Sequence, residues 1–161
     1  METSAFKVRP SEHWFGEEIE IEINGESLAA KLKAFEMPLA RAEGSPKIAG
    51  DYSGLPASSY LLPSRHFFGE QAHPETREER VELLLCGGCG EIGCWPILAR
   101  IAVAEDRVIW NDFQQPHRTG RGKSAVWDYA RFGPFVFERA QYERALREAA
   151  ESRPTHNPQS P

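Results

Sequence analysis

The sequence contains little cysteine, no long apolar run and no excess of basic residues, and each shortage excludes a class of protein. Three cysteines among 161 residues are few and odd in number, which argues against the disulfide framework of a small secreted protein. No apolar run approaches the ~18 residues that a membrane-spanning helix needs, and the first residues lack the apolar segment of a secretory signal. These absences predict a cytoplasmic protein with reduced thiols and no membrane partner.

Charge and motifs exclude further classes. The net charge is -5, and an acidic protein repels the phosphate backbone, so we expect no nucleic-acid partner. The hydrolase and protease signatures G-x-S-x-G and H-E-x-x-H are absent. The string HRTGRGKS at residues 117–124 is close to a phosphate-binding loop, but His117 replaces its first glycine and no helix is predicted after it. The sequence therefore does not predict nucleotide binding.

The clearest strand signal is the alternation of glutamate and isoleucine over residues 17–23. Period two places the isoleucines on a buried face and the glutamates on a solvated one. The glutamates expected to face solvent are Glu18, Glu20 and Glu22. Asn24 and Gly25 predict a turn, and residues 26–36 predict a short amphipathic helix that Pro38 ends.

The centre of the chain predicts an antiparallel meander. Its strands are expected at residues 80–85, 97–104 and 107–113, joined by the cysteine segment and by a tight turn. Further elements are a strand near 60–62, a strand near 135–137 and a C-terminal helix. The overall expectation is an α+β fold: one domain over residues 1–150, with an antiparallel sheet and two helices, followed by a disordered tail at 151–161.

The meander brings a distant histidine towards the cysteines. If the first central strand ends at the cysteine segment, the third strand ends at the same edge of the sheet, and His117 follows it. Neighbouring strands lie about 4.8 Å apart, so the two exits are separated by only about 10 Å. The topology therefore predicts that His117 lies within reach of the three sulfur atoms.

The segment CGGCGEIGC, with Cys86, Cys89 and Cys94, allows three interpretations. The first is a zinc site with these cysteines and His117 as ligands, in which the glycines let the backbone fold tightly around the sulfurs. The second is a glycine-rich turn that tolerates cysteines as small apolar residues. The third is dithiol redox chemistry, which the lack of a helix start beside the pair disfavours. An iron–sulfur cluster would need a fourth cysteine.

Other candidate side chains have simpler explanations. Arg118, Arg121 and Lys123 form a basic segment that we interpret as a solvated, mobile loop. His66 and His73 are interpreted as packing or surface residues, and most of the tryptophans as core or rim residues.

Two strings in the chain are distinctive, CGGCGEIGCWP at residues 86–96 and WNDFQQPHR at residues 110–118. They resemble the strings CGxCGExGCWP and WxDFxQPHR of a family of small uncharacterised bacterial proteins, and the resemblance extends over residues 15–150. It implies a bacterial, cytoplasmic protein. Some members of that family carry the label oxidoreductase, but the resemblance implies no catalytic residue.

These features predict a bacterial cytoplasmic protein with a Cys/His cluster that binds zinc structurally through Cys86, Cys89, Cys94 and His117. Two alternatives stay open. One is a thiol-based or cofactor-dependent oxidoreductase, and the other is a protein-interaction or immunity-type module that works through a partner protein. The sequence leaves open whether the protein is an enzyme.

Overall fold

The described residues of the computed structural model, 1–13, 16–70, 79–91, 93–120 and 126–153, form two antiparallel sheets and three helices. The α+β class is confirmed, but the single expected sheet is divided into two. The strands are β1 (Ser4–Pro10), β2 (Glu17–Ile23), β3 (Glu26–Ser27), β4 (Tyr52–Ser53), β5 (Leu55–Pro56), β6 (Val81–Cys86), β7 (Ile97–Val103), β8 (Arg107–Gln114) and β9 (Phe135–Glu138). The helices are α1 (Leu28–Ala42), α2 (Ala57–Tyr60) and α3 (Arg139–Ser152). In the described part of the chain, no helix is long and apolar enough to cross a membrane.

The first sheet is built around β2, which pairs with β1, β3 and β5. The predicted strand and its turn are confirmed, because the three isoleucines of β2 are buried and Asn24 and Gly25 both adopt positive φ. The expectation that Glu18 faces solvent is wrong, since this residue is only 6% exposed. The backbone N–H of Gly54 and the guanidinium of Arg9 both donate to the Glu18 carboxylate over 3.3 Å. The segment around Gly54, which is distant from β2 in the sequence, therefore packs against β2 and covers this end of the glutamate row.

The second sheet has the strand order β4-β6-β7-β8-β9. Its central strands β6, β7 and β8 are the predicted meander, and β9 is the strand predicted near residues 135–137. The short strand β4 lies on the other side of β6 and pairs Tyr52 with Cys86. This pairing places the start of the cysteine segment beside residues from the first half of the chain.

The helices differ from expectation in three places. α1 continues through Pro38 to Ala42, and Leu28, Leu32, Glu36 and Ala40 form a single buried row on both sides of the proline. Packing of this row offsets the hydrogen bond that proline cannot donate.

The strand expected near residues 60–62 is wrong, because the backbone N–H of Leu61 donates to Ala57 O (3.2 Å) and closes the helical turn of α2. α3 confirms the C-terminal helix and extends to Ser152, so residues 151 and 152 of the expected tail are helical. Residues 154–161 of that tail lie outside the described residues.

The two sheets share a core of aromatic rings around Trp110 on β8. Phe6 from the first sheet lies 6.4 Å from the Trp110 ring centroid, and Phe137 lies 5.0 Å from it. The indole N–H of Trp110 donates to the hydroxyl of Tyr142 (3.0 Å), which in turn donates to the Phe67 carbonyl (2.5 Å). One buried hydroxyl of α3 therefore satisfies polar groups on two other segments.

Replacing Tyr142 with phenylalanine measures how much this hydroxyl contributes to the free energy of unfolding. Tyr142→Phe leaves the Trp110 N–H and the Phe67 carbonyl buried without their partner, and we expect a loss of about 1–3 kcal/mol in the free energy of unfolding. Urea denaturation measures the change, and near-ultraviolet circular dichroism checks that the aromatic core is retained. An unchanged free energy of unfolding would show that the hydrogen bonds contribute nothing to stability.

Candidate metal centre

The cysteine loop, defined as residues 86–96, connects β6 to β7 and is anchored where β6 ends. The backbone N–H of Gly87 donates to Asp51 O (3.0 Å), and a side chain at Gly87 would bring its Cβ within 2.3 Å of Asp51 Oδ1. The N–H of Gly90 donates to Cys86 O (2.8 Å) and closes the first turn, with Gly90 itself at a φ of 71°. Glycine is therefore required at these positions for close approach and for left-handed backbone.

The loop brings the sulfur atoms of all three cysteines together. The Sγ atoms of Cys86, Cys89 and Cys94 all lie within 4.8 Å of one another, and none of the three residues forms a disulfide. Cys86 is buried, whereas Cys89 and Cys94 are exposed. Such a set of three thiols could hold a metal ion, and sulfur donors favour zinc or another thiophilic metal.

The pKa values of Cys86 and Cys94 are shifted in opposite directions. Burial raises the pKa of Cys86. Hydrogen bonds have the opposite and larger effect, and they come from the backbone N–H groups of Cys89 and Gly88 and from the thiols of Cys94 and Cys89. The net pKa of Cys86 therefore lies below its usual value. The neighbouring Cys86 and Cys89 raise the pKa of Cys94 to about 12. The turn amides thus stabilise a thiolate on Cys86 without a helix N-terminus, which removes one argument against redox chemistry.

His117 lies beside the cysteine loop, on a short helical turn (Pro116–Arg118) that follows β8. Its ring stacks on Trp95 with a centroid distance of 5.7 Å, and its Nε2 lies 2.8 Å from Gly93 O. A carbonyl only accepts, so Nε2 is the ring nitrogen that donates this hydrogen bond. The group of ligand atoms within 4.8 Å of one another contains the three sulfurs and no nitrogen of His117. The role of His117 as a fourth ligand therefore stays a prediction.

A buried polar network supports the loop from behind. The side-chain N–H₂ of Gln115 donates to Pro96 O (3.0 Å) and to the Tyr52 hydroxyl (3.3 Å). Tyr52 donates to the Glu36 carboxylate (2.6 Å), and so does Tyr129 (2.5 Å). Sequence reasoning missed Glu36, although its position four residues after Leu32 on the apolar row of α1 was a usable signal.

The Glu36 carboxylate is fully buried, at 0% exposure. It accepts a third hydrogen bond from the backbone N–H of Gly50 (2.9 Å). Burial raises its pKa, while the hydrogen bonds from Tyr129, Tyr52 and Gly50 work in the opposite direction, and the net shift is upward. The three hydrogen bonds therefore offset only part of the penalty of burying the charged carboxylate.

The interpretation of the basic segment as a solvated loop is wrong for Arg118. Its guanidinium donates to the Glu43 carboxylate (2.9 Å) and lies over the rings of Trp95 (4.9 Å) and Trp127 (5.4 Å), with its side chain only 18% exposed. The indole N–H of Trp127 donates to the same carboxylate (2.7 Å). Arg118 is therefore a bound residue that joins the end of α1 to the cysteine loop, not part of a solvated loop. Arg121 and Lys123 lie outside the described residues.

Of the two remaining candidate histidines, His66 is a packing residue. It is fully buried, its Nε2 lies 2.7 Å from Glu82 O, and its ring makes edge contacts with Tyr60 and Phe67. His73 lies outside the described residues.

Comparison with known protein families, curated proteins and solved structures found no match for this chain. The resemblance to a bacterial family therefore stays a prediction, and the chemistry of the site depends on its own geometry.

The raised pKa of Glu36 predicts a specific pH dependence of stability. The native state holds this proton more tightly than the unfolded chain, so the contribution of Glu36 is complete below its unfolded pKa and is lost as the pH rises through the native pKa. We expect wild-type stability, relative to Glu36→Gln, to fall as the pH rises from about 4 towards neutrality.

Urea unfolding at a series of pH values measures the difference. Glu148→Gln on the exposed face of α3 is the matched control and should leave the pH profile unchanged. A constant difference between wild type and Glu36→Gln at every pH would contradict the prediction.

Proposed function

We propose that the cysteine loop binds one zinc ion as a structural centre, with Cys86, Cys89, Cys94 and His117 as its ligands. The observation that carries this proposal is the convergence of the three sulfurs to within 4.8 Å of one another. Cysteines at C-x₂-C spacing on a glycine-rich turn are typical of structural zinc sites. The lowered pKa of Cys86 supports the same role, because zinc binds the thiolate form.

The hydrogen bond of His117 supports its place as the fourth ligand. Histidines that bind a metal through one ring nitrogen almost always donate the other N–H to a carbonyl or carboxylate. His117 already makes such a bond through Nε2 to Gly93 O (2.8 Å), so in this proposal Nδ1 is the nitrogen that binds zinc. In this proposal a movement of the ring towards the sulfurs completes the set.

Four protein ligands leave no position for water, so the centre stabilises structure rather than activating a nucleophile. Zinc would join the loop between β6 and β7 to the turn after β8. The protein is thus proposed to be a bacterial cytoplasmic protein with a zinc-stabilised loop, in line with its family resemblance.

Zinc analysis of protein purified without chelators tests the proposal directly, with one zinc per chain expected. Zinc at about a hundredfold excess over its dissociation constant adds about 2.7 kcal/mol of stability, so Cys89→Ala should lower the melting temperature of the zinc-loaded protein by roughly 5–10 °C. Glu91→Ala, an exposed change in the same loop, is the matched control. A folded wild-type protein without zinc, or an unchanged melting temperature in Cys89→Ala, would end the proposal.

Cobalt substitution tests the fourth ligand separately. We expect His117→Ala to alter the visible absorption of the cobalt-loaded protein. We also expect it to weaken zinc binding by at least about tenfold, because loss of a residue that merely orients a ligand already has an effect of that size. The metal-free variant also lacks the Trp95 stack and the hydrogen bond to Gly93 O, so its melting temperature is measured beside that of metal-free wild type and the difference is subtracted. Identical cobalt spectra for the two proteins would exclude His117 from the coordination shell.

One observation favours a thiol-based oxidoreductase as a second candidate. Cys86 has a lowered pKa, and two further thiols lie beside it, as an attacking and a resolving thiol require. Turnover of a low-molecular-weight disulfide by the metal-free protein, lost in Cys86→Ser, would select this candidate over the structural centre.

A further inference from the structure

The three sulfurs of the cysteine loop differ in how firmly they are held. Cys86 is 8% exposed and closes β6, where its carbonyl accepts hydrogen bonds from the Gly90 N–H and from the Ser53 hydroxyl, both over 2.8 Å. Its backbone is also paired with Tyr52 of β4. Cys86 is therefore fixed by the sheet and shielded from solvent.

Cys89 and Cys94 lie on the exposed side of the loop. Gly90 and Gly93, each beside one of these cysteines, have left-handed backbones with φ values of 71° and 88°. The two sulfurs are within 4.8 Å of each other, so rotation of the side chains with a small movement of this turn brings them to bonding distance. An oxidant from solvent thus reaches Cys89 and Cys94 before it reaches Cys86.

We propose that a hydroperoxide joins Cys89 and Cys94 in a disulfide and thereby releases the metal, while Cys86 stays reduced. This inference rests on the proposed zinc centre and assigns a regulation to it. Loss of two of the ligands leaves one thiolate and one imidazole, too few to retain a structural zinc ion.

The chemistry balances with the hydroperoxide as the only oxidant. The thiolate of Cys89 attacks the terminal oxygen, the O–O bond breaks, and the products are a sulfenic acid and, after uptake of one proton, an alcohol or, from hydrogen peroxide, water. The thiol of the other cysteine then attacks the sulfenic sulfur. An S–S bond forms, the S–O bond breaks, and the departing hydroxide takes the thiol proton as water. Two electrons pass from the two sulfurs to the peroxide.

The position of Trp95 provides an optical signal for this change. Trp95 directly follows Cys94 and stacks on His117, whose Nε2 bonds to Gly93 O. Closure of the Cys89–Cys94 disulfide moves the backbone between these residues, so the stack and the environment of the indole change together. Tryptophan fluorescence of wild type should therefore change with oxidation, and that of Trp95→Phe should change much less.

The experiment uses the full chain loaded with zinc. Zinc content is measured first, then one equivalent of hydrogen peroxide is added, zinc release is followed with a chromogenic chelator, and the disulfide is located by peptide mass mapping. We expect each chain to release one zinc ion and to form one Cys89–Cys94 disulfide. A dithiol reductant should reduce the disulfide and allow zinc to bind again. Metal-free Cys86→Ser should still form this disulfide, whereas Cys94→Ser should not.

The outcomes separate the two proposals. Absence of zinc before oxidation overturns the zinc centre, and metal release with it. Zinc that stays bound after oxidation, or that leaves with a disulfide containing Cys86, overturns the redox inference and leaves the zinc centre intact. Irreversible oxidation to sulfinic acid, seen as a mass increase that the reductant does not reverse, also overturns the redox inference.

Discussion

The structure around the cysteine loop depends on one buried carboxylate, that of Glu36 on α1. It accepts hydrogen bonds from Gly50, Tyr52 and Tyr129, which lie in separate segments of the chain. A buried carboxylate without such partners costs several kcal/mol, so these segments have to close around α1 together. Because Tyr52 pairs with Cys86 in the second sheet, the same interaction positions the start of the loop.

The loop combines a rigid back with an exposed front. At the back, Gln115 bonds to Pro96 O, and the backbone of Gly87 bonds to Asp51. At the front, the three cysteine sulfurs approach one another without a disulfide. Despite burial, hydrogen bonds lower the pKa of Cys86, whereas hydrogen bonds with Cys86 and Cys89 raise the pKa of Cys94. Metal binding and thiol oxidation, as proposed here, draw on the same three sulfurs and therefore exclude each other.

Five side chains of the string WNDFQQPHR make specific contacts with other parts of the chain. Trp110 fills the core between the sheets, and Asp112, at a φ of 55°, accepts hydrogen bonds from two arginines on neighbouring chain segments. Gln115 supports the cysteine loop, His117 bonds to it, and Arg118 binds Glu43 at the end of α1. The end of the second distinctive string thus contacts and supports the first.

The sequence by itself determined what local periodicity and chain order control: the isoleucine strand, the meander, the C-terminal helix, and the approach of His117 to the cysteine loop. The tertiary structure alone decided the burial of Glu18, the hydrogen bond between Glu36 and Tyr129, and the pairing of Arg118. Their partners lie 36, 93 and 75 residues away. No spacing rule connects such positions, because a polar side chain becomes a buried hydrogen-bonding group only when distant segments pack over it and exclude water.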